Sequence, residues 1–233
     1  MLEWIKGLMP HVVTYWDRFV TSCEATLQMF VIAGSIAFVI GLLFGTLLTI
    51  WKKGGIRERR VPYLILNSLI NFFRAIPFLI LLIFLIPFTR ALVGTAIGVT
   101  GAIVPLIFGT VPFYTRQVES VLAEVDEGKV EAARSMGTGA AGIVFRVYLH
   151  EAVPGLIRVT VITAISLIGL TTMAGAVGAG GIGSFAVNYG QGLHYEDIVI
   201  VCVIVLVAVV FLLQSLGSFL ARKTTNRKLF DKN

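Results

Sequence analysis

Long apolar stretches alternate with short charged ones along this chain of 233 residues. Four stretches long enough to span a membrane contain no Lys, Arg, Asp or Glu, and a fifth is interrupted by Arg74 alone. A helix needs about 20 apolar residues to cross a bilayer, and only helices or closed barrels satisfy the backbone in lipid. Because the stretches lack the strict alternation of barrel strands, the pattern predicts five transmembrane helices. They are residues 29–50, 61–89, 91–115, 159–193 and 198–221.

Composition supports an all-α, polytopic membrane protein. Hydrophobic residues make up 57% of the chain and charged residues 14%, whereas soluble domains carry about 25% charged residues. We expect a single transmembrane domain over residues 1–233, since no internal repeat is visible. Residues 1–24 are predicted to form an interfacial arm, and residues 222–233 a basic cytoplasmic tail.

The net charge of +6 is explained by the membrane rather than by nucleic acid. Cytoplasmic loops collect Lys and Arg, and 15 of the 19 basic residues fall in three segments that follow the first, third and fifth predicted spans. This distribution predicts an N-terminus outside and a C-terminus in the cytoplasm. The three segments contain Lys52, Lys53, Arg57, Arg59 and Arg60; Arg116, Lys129, Arg134, Arg146 and Arg158; and Arg222, Lys223, Arg227, Lys228 and Lys232.

A charged island at Glu127–Gly155 separates the third and fourth spans, and residues 124–150 are predicted to form a cytoplasmic loop. Gly137 and Gly139 divide it into two predicted amphipathic helices, residues 126–136 and 140–149. Charged residues three or four apart share a solvent face in such a helix. The island is therefore either an ordinary solvated loop or a surface that contacts a soluble partner.

The order of residues in the island favours the second interpretation. Glu131-Ala132-Ala133, followed after three residues by Gly137, resembles the EAA loop of bacterial ABC importer permeases. That family's pattern continues with Ile, any residue, Leu and Pro, and residues 147–150 are Val, Tyr, Leu and His at those places. The replacement of proline by His150 leaves the end of the second helix open.

Two further strings extend the resemblance to about residues 20–220. Residues 71–98, NFFRAIPFLILLIFLIPFTRALVGTAIG, are similar to the second span and outer turn of the methionine-uptake branch of these permeases. Residues 175–183, GAVGAGGIG, resemble the end of its fourth span. The resemblance implies a type I ABC importer permease fold.

The resemblance also implies function and partners. It implies a homodimer in the bacterial cytoplasmic (inner) membrane that carries methionine by alternating access, fed by an extracytoplasmic methionine-binding protein. The chain itself is expected to bind no cofactor and to be no enzyme, since it lacks a Walker A string; ATP and Mg would reside on two copies of a cytoplasmic ATPase. In the family, this loop is the coupling helix that docks on the ATPase. The residues carried over are Glu131, Ala132, Ala133, Arg134, Met136 and Gly137.

Two residues are candidates for the translocation path. Arg74 is a charge within a predicted span, where it must face protein or water; it either binds backbone carbonyls freed by prolines or lines the path. Met173, with Thr172 before it, is flexible and apolar, so it either closes a narrow passage or packs in the core.

Residues 178–183, GAGGIG, form a glycine tract that satisfies G-x-G-x-x-G. The tract follows an apolar helix rather than a strand, which excludes a dinucleotide site. Close helix packing at the outer face is the better interpretation for Gly178, Gly180, Gly181 and Gly183. The three histidines show no metal-ligand spacing, and no catalytic set stands out.

The alternative functions are an ion-coupled secondary transporter, a channel or an intramembrane enzyme. Ion coupling usually needs an acidic residue within the membrane. Because Glu119 and the other carboxylates fall at or beyond the ends of the five predicted spans, the sequence favours an ATP-driven permease.

Overall fold

The computed structural model describes residues 9–230 and the side chains of residues 9–225. Every regular element in that range is helical. The α-helices are α1 Pro10–Thr14, α2 Trp16–Trp51, α3 Arg60–Ala75, α4 Phe78–Phe84, α5 Ile86–Val93, α6 Gly98–Ala123, α7 Glu127–Ser135, α8 Ala140–Ile143, α9 Leu149–Ala174, α10 Gly181–Phe185 and α11 Glu196–Phe230. Three π-helical turns, Val144–Tyr148, Gly175–Ala179 and Ala186–Gln191, join or follow them.

Four helical stretches in the described part of the chain are long and apolar enough to cross a membrane: Trp16–Trp51, Gly98–Ala123, Ala140–Ala179 and Glu196–Thr225. Helices α3 and α4 form a fifth candidate, bent by 106° between them. The all-helical prediction is confirmed, and the predicted count of five spans is reached when this pair is one broken span. The third span runs over residues 98–123 rather than 91–115.

The second predicted span is not one helix, because it breaks at Pro77. Ile76 and Pro77 have extended backbones, with ψ of 122° and 137°. Proline disfavours helical geometry in the residue before it and lacks the N–H that would continue the helix. The outer turn expected within residues 71–98 lies at Gly94 with φ of +79°, since Thr89 to Val93 are helical.

The fourth predicted span begins earlier than expected. Helix α8, the π-helical turn and α9 form an unbroken helical path from Ala140, whereas the predicted span began at residue 159, and Pro154 lies inside this path. The prediction of a separate helix over residues 140–149 was therefore wrong. This segment is the first part of the same long helix that continues as α9.

The ends of the chain are more helical than expected. Helix α2 already begins at Trp16, so part of the predicted arm at residues 1–24 belongs to the first long helix, and residues 1–8 lie outside the described range. Helix α11 continues to Phe230 through most of the predicted tail. Residues 231–233 also lie outside that range.

The chain divides into two compact units. The first comprises residues 1–36, 77–108 and 164–213, and the second comprises residues 37–76, 109–163 and 214–233. The first unit has two buried clusters, one around Met29 and Leu106 and one around Phe185 and Ile198. The core of the second unit contains Tyr114, Val118, Leu122, Val130, Ala133, Ile143, Tyr148, Ala152 and Val159.

Candidate functional site

Helix α7 carries the EAA string and has a regular N-terminal cap. The Asp126 carboxylate accepts a hydrogen bond from the Gly128 backbone N–H at 2.8 Å. Such a cap satisfies a backbone donor that has no partner within the helix. Glu127 in the first turn and Arg134 in the last turn each complement the helix dipole. The predicted first helix, residues 126–136, is confirmed with bounds of Glu127–Ser135.

The same helix ends in a tight turn at Gly137. The Thr138 N–H donates to the Ala133 carbonyl and the Gly137 N–H to the Arg134 carbonyl, each at 3.0 Å. This bonding pattern is a Schellman motif, which needs a left-handed residue just past the helix. Gly137 supplies it with φ of +78°. The glycine therefore allows the sharp turn that the sequence predicted.

The inner face of α7 is fixed to the second unit. Val130 and Ala133 are 8% and 6% exposed and belong to the core that includes Leu122 of α6 and Ala152 of α9. On the edge of the helix, Lys129 Nζ lies 2.8 Å from a carboxylate oxygen of Glu151. Helix α7 is thus packed directly against α6 and α9.

The outer face of α7 is open. Glu131, Ala132, Arg134, Met136 and Gly137 are all exposed. Ala133, the sixth residue carried over from the family pattern, lies in the core instead, so its small size serves packing within the chain. We call the five exposed residues, together with Phe145, the docking face.

Sequence reasoning missed Phe145. Its side chain is 70% exposed, close to the 78% of Met136. The signal was present, because Val144 and Tyr148 occupy helical positions that point to the core and leave Phe145 between them on the outside. Two large apolar side chains on an otherwise polar surface are typical of an interaction site.

The glycine tract packs closely within the first unit. A Cβ on Gly183 would collide with the Thr172 backbone, and one on Gly181 would lie 2.6 Å from Thr26 Oγ1. The Ile182 N–H donates to that hydroxyl at 2.8 Å. Gly178 and Gly180 have open space around them but positive φ values of +101° and +83°. The first two glycines thus allow close packing, and the latter two allow the turn.

Met173 lies on an exposed stripe of α9. Its side chain is 46% exposed, and Ile162, Ser166 and Gly169 precede it at helical spacing and are exposed as well. The hydroxyl of Thr172 donates to the Ile168 carbonyl of its own helix at 3.0 Å. Met173 is therefore not a core residue of the chain, whereas the hydroxyl of Thr172 is hydrogen-bonded to the backbone of its own helix.

Arg74 lies in the last turn of α3, just before the break at Pro77. Its side chain is exposed, and no hydrogen bond or ion pair of Arg74 is found among residues 9–225. The prediction that Arg74 lies within a continuous helical span was wrong, because α3 ends one residue later. A guanidinium is favourable at a helix C-terminus, where carbonyl groups lack partners.

Comparison with known proteins assigns the chain to a family. The family model for inner membrane components of binding-protein-dependent transport systems matches residues 37–226. The chain belongs to this family.

Curated relatives agree over most of their lengths. The chain is 41% identical over 211 residues to the probable D-methionine transport system permease protein MetI of Vibrio cholerae, covering 91% of this chain and 94% of the relative. It is 43% identical over 212 residues to the protein of that name in Pasteurella multocida, covering 91% and 98%. The methionine import system permease protein MetP of Bacillus subtilis is 42% identical over 174 residues, covering 75% and 78%.

A solved structure shares the fold. The inward-facing MetNI methionine ABC transporter matches with a TM-score of 0.87 and 41% identity, covering 91% of this chain and 98% of the matched chain. These findings confirm the resemblance to the methionine-uptake branch and the type I permease fold. The protein is a multi-pass permease of the bacterial inner membrane. Its relatives are named as permease proteins, which confirms a transport subunit rather than an ATPase.

Two charged residues lie inside a candidate membrane helix, although the sequence predicted that they follow the end of that span. Arg116 and Glu119 lie in α6, where their side chains form an ion pair at 2.5 Å. Arg116 also donates to the side-chain oxygens of Asn67 and Asn71 on α3, at 2.5 Å and 2.7 Å. We call these four residues the Arg116 network.

This network corrects two predictions. Arg116 is not a loop residue, and Arg158 likewise lies inside α9. Fewer basic residues therefore lie in the loop after the third span than the sequence predicted. Glu119 is an acidic residue within a candidate span, and its charge is neutralised by Arg116. Among the described residues no group of three His, Cys, Asp or Glu side chains is arranged to hold a metal ion.

Proposed function

We propose that this permease forms the translocation path of an ATP-driven importer for methionine, in its L- or D-form or as a derivative. Curated relatives named for methionine transport cover nearly the whole chain, and the matched solved structure is a methionine ABC transporter. The single observation that carries the mechanism is the docking face, which lies mainly on α7, a helix whose other side is packed into the core of the second unit.

The docking face contacts a separate cytoplasmic ATPase in this proposal. Met136 and Phe145 supply apolar anchors, while Glu131 and Arg134 supply charges that orient the contact. Since α7 packs against Leu122 and Ala152 through its inner face, a displacement of the helix reaches α6 and α9 directly. The loop therefore couples the partner's motion to the membrane helices.

The complete transporter is a homodimer of this chain with two ATPase subunits and an external methionine-binding protein. A two-fold axis builds one path from two identical five-span subunits. ATP and Mg bind the ATPase subunits, and ATP stabilises one of the two orientations of the path because it binds their closed arrangement more tightly. The exposed stripe with Met173 lines that path, and the exposed Arg74, which makes no hydrogen bond to a backbone carbonyl among residues 9–225, is a second candidate for it.

The orientation of the proposal places α7 in the cytoplasm, the N-terminus outside and the C-terminus inside. The basic residues of the loop between α2 and α3 and of α7 support it, since cytoplasmic segments are rich in Lys and Arg. The alternative of an ion-coupled transporter or channel is not favoured. Glu119 is held in an ion pair with Arg116, so it is not a free carboxylate for a proton relay.

A pull-down from membranes tests the proposal. The variant Met136→Asp/Phe145→Asp should lose the co-purified ATPase and the uptake of labelled methionine, because both apolar anchors become charged. Ile97→Asp is the matched control, since Ile97 is 69% exposed on a different loop. Retention of the ATPase by the double variant, or methionine uptake in cells that lack the ATPase, would overturn the proposal.

A further inference from the structure

A cleft lies where α2 ends and α3 begins. It has a volume of about 340 Å³ and is lined by Trp51, Lys53, Glu58, Arg60, Tyr63 and Leu64. This volume is within the range of about 300–1,000 Å³ that small-molecule sites occupy. Two aromatic rings, one aliphatic side chain and two cations therefore surround a space large enough for a small polar group.

The loop that forms the cleft is hydrogen-bonded along its backbone. After α2, the N–H groups of Gly55, Arg57 and Arg59 donate to the carbonyls of Lys52, Ile50 and Trp51 at 2.9–3.2 Å. The Glu58 carboxylate accepts a hydrogen bond from the Gly54 N–H at 3.1 Å. The wall of the cleft is thus ordered, and its one carboxylate is engaged with the loop backbone.

The charge of the cleft is unbalanced. Residues 52–60 hold five cations and one carboxylate. Within residues 9–225, the three ion pairs lie elsewhere, so neither Lys53 nor Arg60 has a carboxylate within 4.0 Å. Unpaired cations that converge on an ordered cleft favour an anionic ligand, and both side chains are good donors to phosphate oxygens.

The position of the cleft identifies the source of the phosphate. The first candidate span ends at Trp51, and the broken second span begins at Arg60, so both helices meet the same membrane surface at this point. Trp and Tyr rings are enriched at the level of lipid headgroups. Basic pockets between membrane helices bind anionic headgroups.

We propose that this cleft binds the headgroup of an anionic phospholipid, with Lys53 and Arg60 on the phosphate and Trp51, Tyr63 and Leu64 against the glycerol and upper acyl chain. The ligand is a membrane lipid such as phosphatidylglycerol rather than a soluble phosphate. The site holds the turn between α2 and α3 at the membrane surface. It is independent of which substrate the permease carries, so its test does not rely on methionine transport.

Quenching of Trp51 fluorescence tests the site in the complete transporter complex. The complex is reconstituted in vesicles that contain phosphatidylglycerol and phosphatidylcholine, with bromine on the acyl chains of one lipid or the other. Subtracting the emission of a Trp51→Phe complex isolates the Trp51 signal. We expect brominated phosphatidylglycerol to quench more strongly, corresponding to a selectivity of about five-fold. Lys53→Gln/Arg60→Gln should reduce the selectivity to about one.

Two controls separate the possible occupants. Arg222→Gln/Lys223→Gln removes two exposed cations from α11 and should leave the selectivity unchanged. Inorganic phosphate added at constant ionic strength should also leave it unchanged. Loss of selectivity with phosphate would instead indicate a soluble anion and overturn the assignment to lipid.

Three other outcomes would refute the site. The first is equal quenching by both lipids in the unaltered complex, and the second is unchanged selectivity in Lys53→Gln/Arg60→Gln. The third is loss of the ATPase from that variant with its lipid selectivity intact, which would assign the cleft to the partner protein. The thermal unfolding temperature of each variant confirms that its complex remains folded.

Discussion

Lys129 of α7 and Glu151 of α9 form an ion pair with 2.8 Å between Nζ and Oε2. Their side chains are 45% and 31% exposed, and exposed ion pairs contribute about 0–1 kcal/mol to stability. The pair is therefore more important for the orientation of α7 than for the stability of the protein. It fixes the direction in which α7 lies on the membrane helix, while Val130 and Ala133 hold it from beneath.

Reversing one charge of this pair should impair coupling without unfolding the protein. In Lys129→Glu, two carboxylates face each other and tilt α7 away from α9, so methionine uptake should fall while the thermal unfolding temperature changes little. Lys129→Glu/Glu151→Lys restores opposite charges and should recover most of the uptake. A double variant no better than the single one would show that the pair does not orient α7.

Two adjacent alanines of the EAA string should respond differently to the same enlargement. Ala133→Leu overfills the core and should lower the free energy of unfolding by about 1–3 kcal/mol. Ala132→Leu adds the same atoms to an exposed position, so it should leave stability unchanged and weaken ATPase binding. Thermal unfolding and ATPase co-purification distinguish the two effects, and the assignment of faces fails if their results are exchanged.

The turn after α7 should require Gly137 only because glycine adopts a positive φ without strain. No atom lies within 4 Å of a Cβ built at Gly137, so Gly137→Ala should lose about 1–2 kcal/mol from the left-handed conformation only. Gly137→Asn should lose less, because Asn tolerates this conformation. Gly139→Ala is the control, since φ of Gly139 is −65° and its surroundings are open too. Equal stability of all three variants, measured by thermal unfolding, would contradict this explanation.

Removing only one partner of the Arg116 network should lower the free energy of unfolding. Arg116→Met leaves Glu119, Asn67 and Asn71 without their cation, and removing one partner of a buried pair costs about 3–5 kcal/mol. Exposure of 19% for each charged side chain places the expected loss at the lower end of that range. Arg116→Met/Glu119→Gln should be more stable than Arg116→Met in thermal unfolding. The opposite order would show that Glu119 does not need its partner.

The predicted orientation is tested by labelling with a membrane-impermeant maleimide. In a background of Cys23→Ala and Cys202→Ala, Gln191→Cys should react in intact spheroplasts, whereas Ser135→Cys should react only after the membrane is opened. Both positions are exposed, so access and not burial determines the reaction. The reverse pattern would place α7 outside and remove the basis for ATPase docking.

Helix α7 was predictable because its signals are local. Asp126 caps α7 and Gly137 ends it, so both bounds follow from neighbouring residues. The prolines were not predictable in the same way. Pro77 breaks a helix and Pro154 does not. Pro154 lies between Ala152 and Val159, whose packing in the core of the second unit supports the helix there. That support comes from residues distant in sequence.

Arg116 was misplaced by the sequence-based prediction because its partners lie on another helix. Arg116 was predicted to lie in a loop because a charge usually ends a span, but Asn67 and Asn71 stabilise it within one. Met173 and Phe145 show the opposite case, apolar side chains that remain exposed. Composition alone does not separate an apolar residue that faces its own core from one that faces lipid or a partner.

The unbroken helical path from Ala140 fixes an angular register between Phe145 on the docking face and Ile162 on the exposed stripe. An α-helix turns about 100° per residue. Inserting or deleting one residue between these positions would rotate Ile162 by about that angle relative to Phe145. A descendant of this protein that adapts to a different ATPase must therefore substitute side chains and keep the length of this segment constant.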